Sequence, residues 1–153
     1  MQEQTYLSEE GYEKLKKELE ELKTVQRKEI SQRIEEAKKL GDLSENSEYM
    51  EAKEALEFNE RKIAEMDALF RNVSIISKHR KKGVVEIGSS VSVKAHGKTA
   101  DFTIVGSEEA DPTTGKISNK SPLGSAFLNK RPGDVVEVHA PKGTVKYEIV
   151  EIH

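Results

Sequence analysis

The first proline of this 153-residue chain is Pro112, and only Gly11 and Gly41 interrupt the first 78 residues. A charged stretch so free of helix breakers reads as long helix. The last 75 residues hold eight glycines and all four prolines, and read as strands and turns. Charge shifts at the same place. Residues 1–78 carry 14 basic and 19 acidic side chains, residues 79–153 carry 11 and 9, and the whole chain has a formal net charge of -3. That balance excludes a uniformly basic nucleic-acid binder but leaves room for a local patch. The sequence predicts two domains, 1–77 and 83–153, divided at the basic run Lys78-His79-Arg80-Lys81-Lys82.

Within the first domain, Ser8 offers an N-cap three residues before Gly11. Leu15, Leu19 and Leu22 recur at helical spacing. Ile30, Ile34 and Ala37 repeat the pattern after a slip that leaves polar Gln26 in the track. Gly41 is the natural stop. A second helix is expected from about Ser44, with Tyr49, Ala52, Leu56, Ile63, Met66 and Phe70 on one face and Asn59 completing the spacing. Two such helices joined near Gly41 make an antiparallel helical hairpin with its tip at 41–47. A helix of about 33 residues is roughly 50 Å long, whereas a globule of about 75 residues has a radius of gyration near 11 Å. The hairpin is therefore expected to project.

The second domain alternates like strands at Val84, Val91/Val93, Phe102/Ile104, Val136/Val138 and Val145/Tyr147/Ile149. Turn signals separate them, among them His96-Gly97 and Pro141-Lys142-Gly143. A short helix is expected at Ser125–Asn129. This is a small β-rich domain of about five strands.

The chemistry-bearing residues gather at the tip. Asp42, Glu45, Glu48, Glu51, Glu54, Glu57 and Glu60 fall at every third position, while Arg27, Lys28, Arg33, Lys38 and Lys39 lie behind them. Asp42 and Glu45 read in two ways. As Asp-x-x-Glu at a helix start they cap the helix; as exposed carboxylates they keep lone pairs for a metal. Two carboxylates fall short of the six oxygens that Mg²⁺ takes, so such a pair could only complete a site that a partner and its phosphates supply. Arg27, Lys28 and Arg33 read first as solvating charges paired at i,i+4. Lys38 and Lys53 flank the tip and are better placed for phosphate. The four histidines show no ligand spacing. The chain has no cysteine, nucleotide-binding loop or nucleophile elbow. Without a leader pattern or an apolar run of about 20 residues, a soluble cytoplasmic protein with no membrane contact is expected.

The tip Gly41-Asp42-Leu43-Ser44-Glu45-Asn46-Ser47-Glu48-Tyr49 resembles the tip signature of the bacterial Gre transcript-cleavage factors. Ile117-Ser118-Asn119-Lys120-Ser121-Pro122-Leu123-Gly124-Ser125-Ala126-Phe127-Leu128-Asn129-Lys130, with Gly133-Asp134, resembles their C-terminal signature. The likeness runs over nearly the whole chain and fits the GreA branch better than the more basic GreB branch. It implies an α+β fold, with an antiparallel coiled-coil hairpin followed by a small β-rich FKBP-like domain. It implies a monomer that is no enzyme itself but an elongation factor acting on bacterial RNA polymerase. The C-terminal domain would dock at the mouth of the secondary channel through Ser121, Pro122 and Leu123. The hairpin would reach the active site of a backtracked complex. There Asp42 and Glu45 match the family's catalytic, metal-handling pair for a second Mg²⁺ shared with the polymerase. Lys38 and Lys53 match the positions that contact the nascent RNA 3′ end. A channel binder that modulates polymerase without stimulating cleavage is the alternative. An FKBP-like prolyl isomerase is less consistent with a half whose aromatic residues are only Phe102, Phe127 and Tyr147.

Overall fold

The computed structural model describes residues 4–42, 45–77 and 83–153. The basic run at 78–82 and the middle of the tip, Leu43 and Ser44, lie outside the described residues. The chain divides into two units: Tyr12–Asn72, and the N-terminal segment through Gly11 together with Val73–His153. This division differs from the sequence boundary, because the first strand pairs with one that follows the hairpin.

The hairpin is built from α1 (Glu9–Glu21), a π-helical turn (Leu22–Gln26), α2 (Arg27–Lys38) and α3 (Ser47–Phe70). The π turn explains the slip in the apolar track. Continued from Leu15, Leu19 and Leu22, the repeat would call on Gln26 and Glu29, but Val25 is half-exposed and the next buried apolar residue is Ile30, one place late. A π turn accommodates one extra residue and restores the phase, so Leu19, Ile30 and Ala37 are all buried. The turn also binds across the hairpin. Asn59, 4% exposed, donates from Nδ2 to the Leu22 carbonyl at 3.0 Å, while Thr24 Oγ1 donates to Glu20 O at 2.7 Å. Asn59→Ala is expected to cost the hairpin about 1–2 kcal/mol, since it removes the Leu22 bond inside a packed seam. Urea unfolding followed by far-UV circular dichroism checks this.

Charge sets the hairpin's register. Arg27 grips Glu60 with two parallel bonds, Nε to Oε1 at 2.6 Å and Nη2 to Oε2 at 2.8 Å, and Lys23 meets Asp67 at 3.2 Å. Arg27 thus pairs across the hairpin rather than along its own helix. The hydrogen bond from Arg27 is the main cause that holds the Glu60 carboxyl below its ordinary value. Half-exposed pairs of this kind add little stability; they select which residues face each other. Tyr12 and Phe70 meet edge to face at 5.4 Å, away from the tip.

In the other unit, β1 (Thr5–Leu7) and β2 (Val73–Ile75) form a two-stranded parallel pair. Within this same unit the Glu109 carboxylate accepts from Ser8 N at 2.8 Å and Ser8 Oγ at 2.5 Å. Ser8 Oγ in turn accepts from Gly11 N at 3.0 Å, the cap that the sequence predicts. Gly106 must be glycine, since a Cβ there would fall on the Tyr6 carbonyl.

A five-stranded sheet follows, from β3 (Ser90–Ala95), β4 (Lys98–Val105), β5 (Lys116–Ser118), β6 (Val135–Ala140) and β7 (Gly143–Ile152), in the order β5-β4-β3-β7-β6. All neighbours are antiparallel except β4 and β5. The strand expected at Val84 is absent, and β5 takes its place in the count. Between β5 and β6 lies α4 (Pro122–Phe127), three residues earlier than the sequence predicts. Val85, Val91, Val93, Ile104, Ile117, Phe127, Val136 and Ile149 form the core. Phe127 sits between Phe102 at 6.0 Å and Tyr147 at 5.6 Å, so the aromatic residues fill the core. Among the described residues no helix is long and apolar enough to cross a membrane.

Candidate functional site

The tip is a tight exit from α2 and a capped entry to α3. The last turn of α2 tightens, with Lys39 N donating to Glu36 O and Leu40 N to Ala37 O. Gly41 then takes φ +127, a conformation that an L side chain rarely adopts, although nothing among the described residues lies within 4 Å of a Cβ there. Glycine is needed here for its conformation. Asp42 follows and is exposed, as is Glu45.

The capping role that the sequence offered Asp42 and Glu45 belongs to another residue. Asn46 is the N-cap of α3, in extended conformation, and its Oδ1 accepts from Tyr49 N at 3.1 Å. Glu45 lies before the helix rather than inside its first turn. Asn46 also donates from Nδ2 to Ala37 O at 2.5 Å, bridging the two helices. Asn is among the best N-cap residues, so Asn46 before Ser47-Glu48 was the available signal.

Lys38 and Lys53 are both exposed, and helix geometry puts them together. Ala37 and Ala52, 2% and 1% exposed, mark where α2 and α3 face each other. The next residue on a helix lies about 100° round. In an antiparallel pair, residues one step past the facing line emerge on the same side of both helices, and residues one step before it on the other. Lys38 and Lys53 each follow their alanine, whereas Glu36 and Glu51 each precede theirs. Near the tip, Lys38 and Lys53 thus share one face of the hairpin, and Glu36 and Glu51 share the other. The face of Glu36 and Glu51 holds a groove of about 520 Å³ lined by Arg33, Glu36, Ala37, Leu40, Glu48 and Glu51.

The residues of the expected docking loop have structural duties. Ser121 is the N-cap of α4: its Oγ accepts from Gly124 N at 3.0 Å and donates to Ser118 O at 2.6 Å. Leu123 packs on the core. Pro122, in the first turn of α4, is exposed. Gly124 is buried where a Cβ would strike the Ser118 carbonyl.

Comparison with known proteins decides the family. Residues 5–75 match the family described as Transcription elongation factor, N-terminal, and residues 80–153 match Transcription elongation factor, GreA/GreB, C-term. This chain belongs to the GreA/GreB family of transcription elongation factors. Its relatives include transcription elongation factor GreA of Clostridium botulinum, 48% identical over 94% of this chain and 92% of the relative. GreA of Thermoanaerobacter pseudethanolicus is 47% identical over 95% of each. GreA factor homolog 1 of Thermus thermophilus, a solved structure, is 28% identical, covers 99% of both chains and has a TM-score of 0.45. The chain is a transcription elongation factor whose two family regions correspond to the hairpin side and the sheet side of the sequence.

The fit of the tip to Mg²⁺ can be judged from its donors. Asp42 and Glu45 carry hard oxygen ligands on an exposed loop, which suits that ion. Among the described residues no group of three His, Cys, Asp or Glu side chains could hold a metal. The pair therefore fits as part of a coordination shell that needs further oxygens from elsewhere.

Proposed function

We propose that this elongation factor binds bacterial RNA polymerase at its secondary channel and stimulates the polymerase's own Mg²⁺-dependent cleavage of backtracked nascent RNA. One observation carries this reading most: two carboxylates, Asp42 and Glu45, stand exposed at the tip while a third residue, Asn46, caps the helix.

In this mechanism Asp42 and Glu45 lend oxygen ligands at the scissile phosphate and orient the attacking water. Mg²⁺, when bound there, would lower the pKa of that water and stabilise charge on the phosphoryl oxygens. Lys38 and Lys53 present their ammonium groups to the extruded RNA, whose phosphates Glu36 and Glu51 on the opposite face would repel. Ser121, Pro122 and Leu123 form the docking loop in the C-terminal unit, with Pro122 the most accessible of the three.

A backtracked complex with labelled RNA tests the proposal. The factor is expected to shorten the RNA by cleavage and restore elongation, and Lys38→Glu with Lys53→Glu to raise the factor concentration for half-effect about tenfold through lost phosphate contact. Slowed elongation without new RNA ends would instead mark a channel binder that does not stimulate cleavage.

A further inference from the structure

We infer that Asn46 is a positioning residue for the tip carboxylates. The inference rests on the proposed reading of Asp42 and Glu45. Its observation is the double use of one side chain: Oδ1 accepts from Tyr49 N at the start of α3, and Nδ2 donates to Ala37 O at the end of α2. The amide closes the tip at its base. Asp42 and Glu45 both lie in the segment between Ala37 and Asn46 that this bond closes.

The residue type follows from the two tasks. An amide carries an acceptor and an N–H donor on one short side chain. Serine can cap but does not reach both helices with one oxygen, and an ionised aspartate can cap but cannot donate. A tied segment has fewer conformations to lose when its carboxylates are brought to a reacting phosphate. Reacting groups held about 1 Å out of place can cost up to about 10²-fold in rate.

Asn46→Ser separates the tasks, because it keeps a good N-cap and removes the bond to Ala37. In the isolated protein, ¹⁵N relaxation is expected to show lower backbone order parameters at Asp42 and Glu45, with helix content unchanged. With a backtracked polymerase, the saturating cleavage rate is expected to fall about tenfold. The Mg²⁺ needed for half-maximal cleavage should rise while the factor concentration for half-effect stays put. Asn46→Asp, which keeps the cap and lacks the donor, should show the same loss of order. Order parameters and saturating rate equal to wild type in both variants would overturn the inference, as would a change in half-effective concentration alone. Should the wild type itself fail to stimulate cleavage, the proposed function falls, while the order parameters still decide whether Asn46 ties the tip.

Discussion

Asp42→Asn and Glu45→Gln are each expected to lower factor-stimulated cleavage by about 10²–10³, the usual loss when one preorganised electrostatic group is taken from a reacting centre. Both changes are nearly isosteric and sit on exposed residues outside the α3 cap. The hairpin should therefore fold as before and bind polymerase with unchanged affinity. The double variant should lose little more than either single one, because the two oxyanions act as a unit. Single-turnover cleavage at saturating factor, set beside a competition measurement of polymerase binding, separates chemistry from docking. Equal losses in both would move Asp42 and Glu45 from the reaction to the interface.

Phe127→Ala carries the largest expected cost in stability, about 3–5 kcal/mol. Phe127 is fully buried at the end of α4 and touches both Phe102 and Tyr147. Truncation leaves a cavity between the helix and the sheet, and the rigid β strands around it can close only part of that space. A small domain holds only about 5–15 kcal/mol in total, so this unit should lose much of its margin. The consequence for function follows from position. Ser121 caps the same helix, and Leu123 is anchored in the same core, so loosening α4 loosens the proposed docking loop. Two transitions are expected in a calorimetric scan: that of the sheet unit shifted down, that of the hairpin unmoved. Polymerase affinity should fall with the first.

The sequence showed the hairpin clearly because long Pro-free helices leave a repeated apolar track. It also showed that the track slips after Leu22, but only the backbone reveals that a π turn absorbs the extra residue and that Asn59 bonds to Leu22. The common face of Lys38 and Lys53 was within reach, since each stands one step after a buried alanine. The strands at Thr5–Leu7, Val73–Ile75 and Lys116–Ser118 were missed because three residues are too few to show a period of two. That miss displaced the unit boundary, since the pairing of the first two carries the N-terminal segment into the sheet unit. The cap of α3 was misread for a different reason: Asp-x-x-Glu and Asn46 compete for one helix start, and propensity alone does not rank a cap four residues away against one next door.

The central claim is that the tip serves a reaction the factor cannot perform alone. The most direct measurement incubates the same labelled RNA with Mg²⁺ in three ways: with the factor only, with backtracked polymerase only, and with both. The account predicts that the naked RNA stays intact with the factor, that polymerase alone cuts slowly, and that both together cut far faster at the backtracked 3′ segment. Cleavage of naked RNA by the purified factor, or a polymerase rate that the factor leaves unchanged, would contradict it.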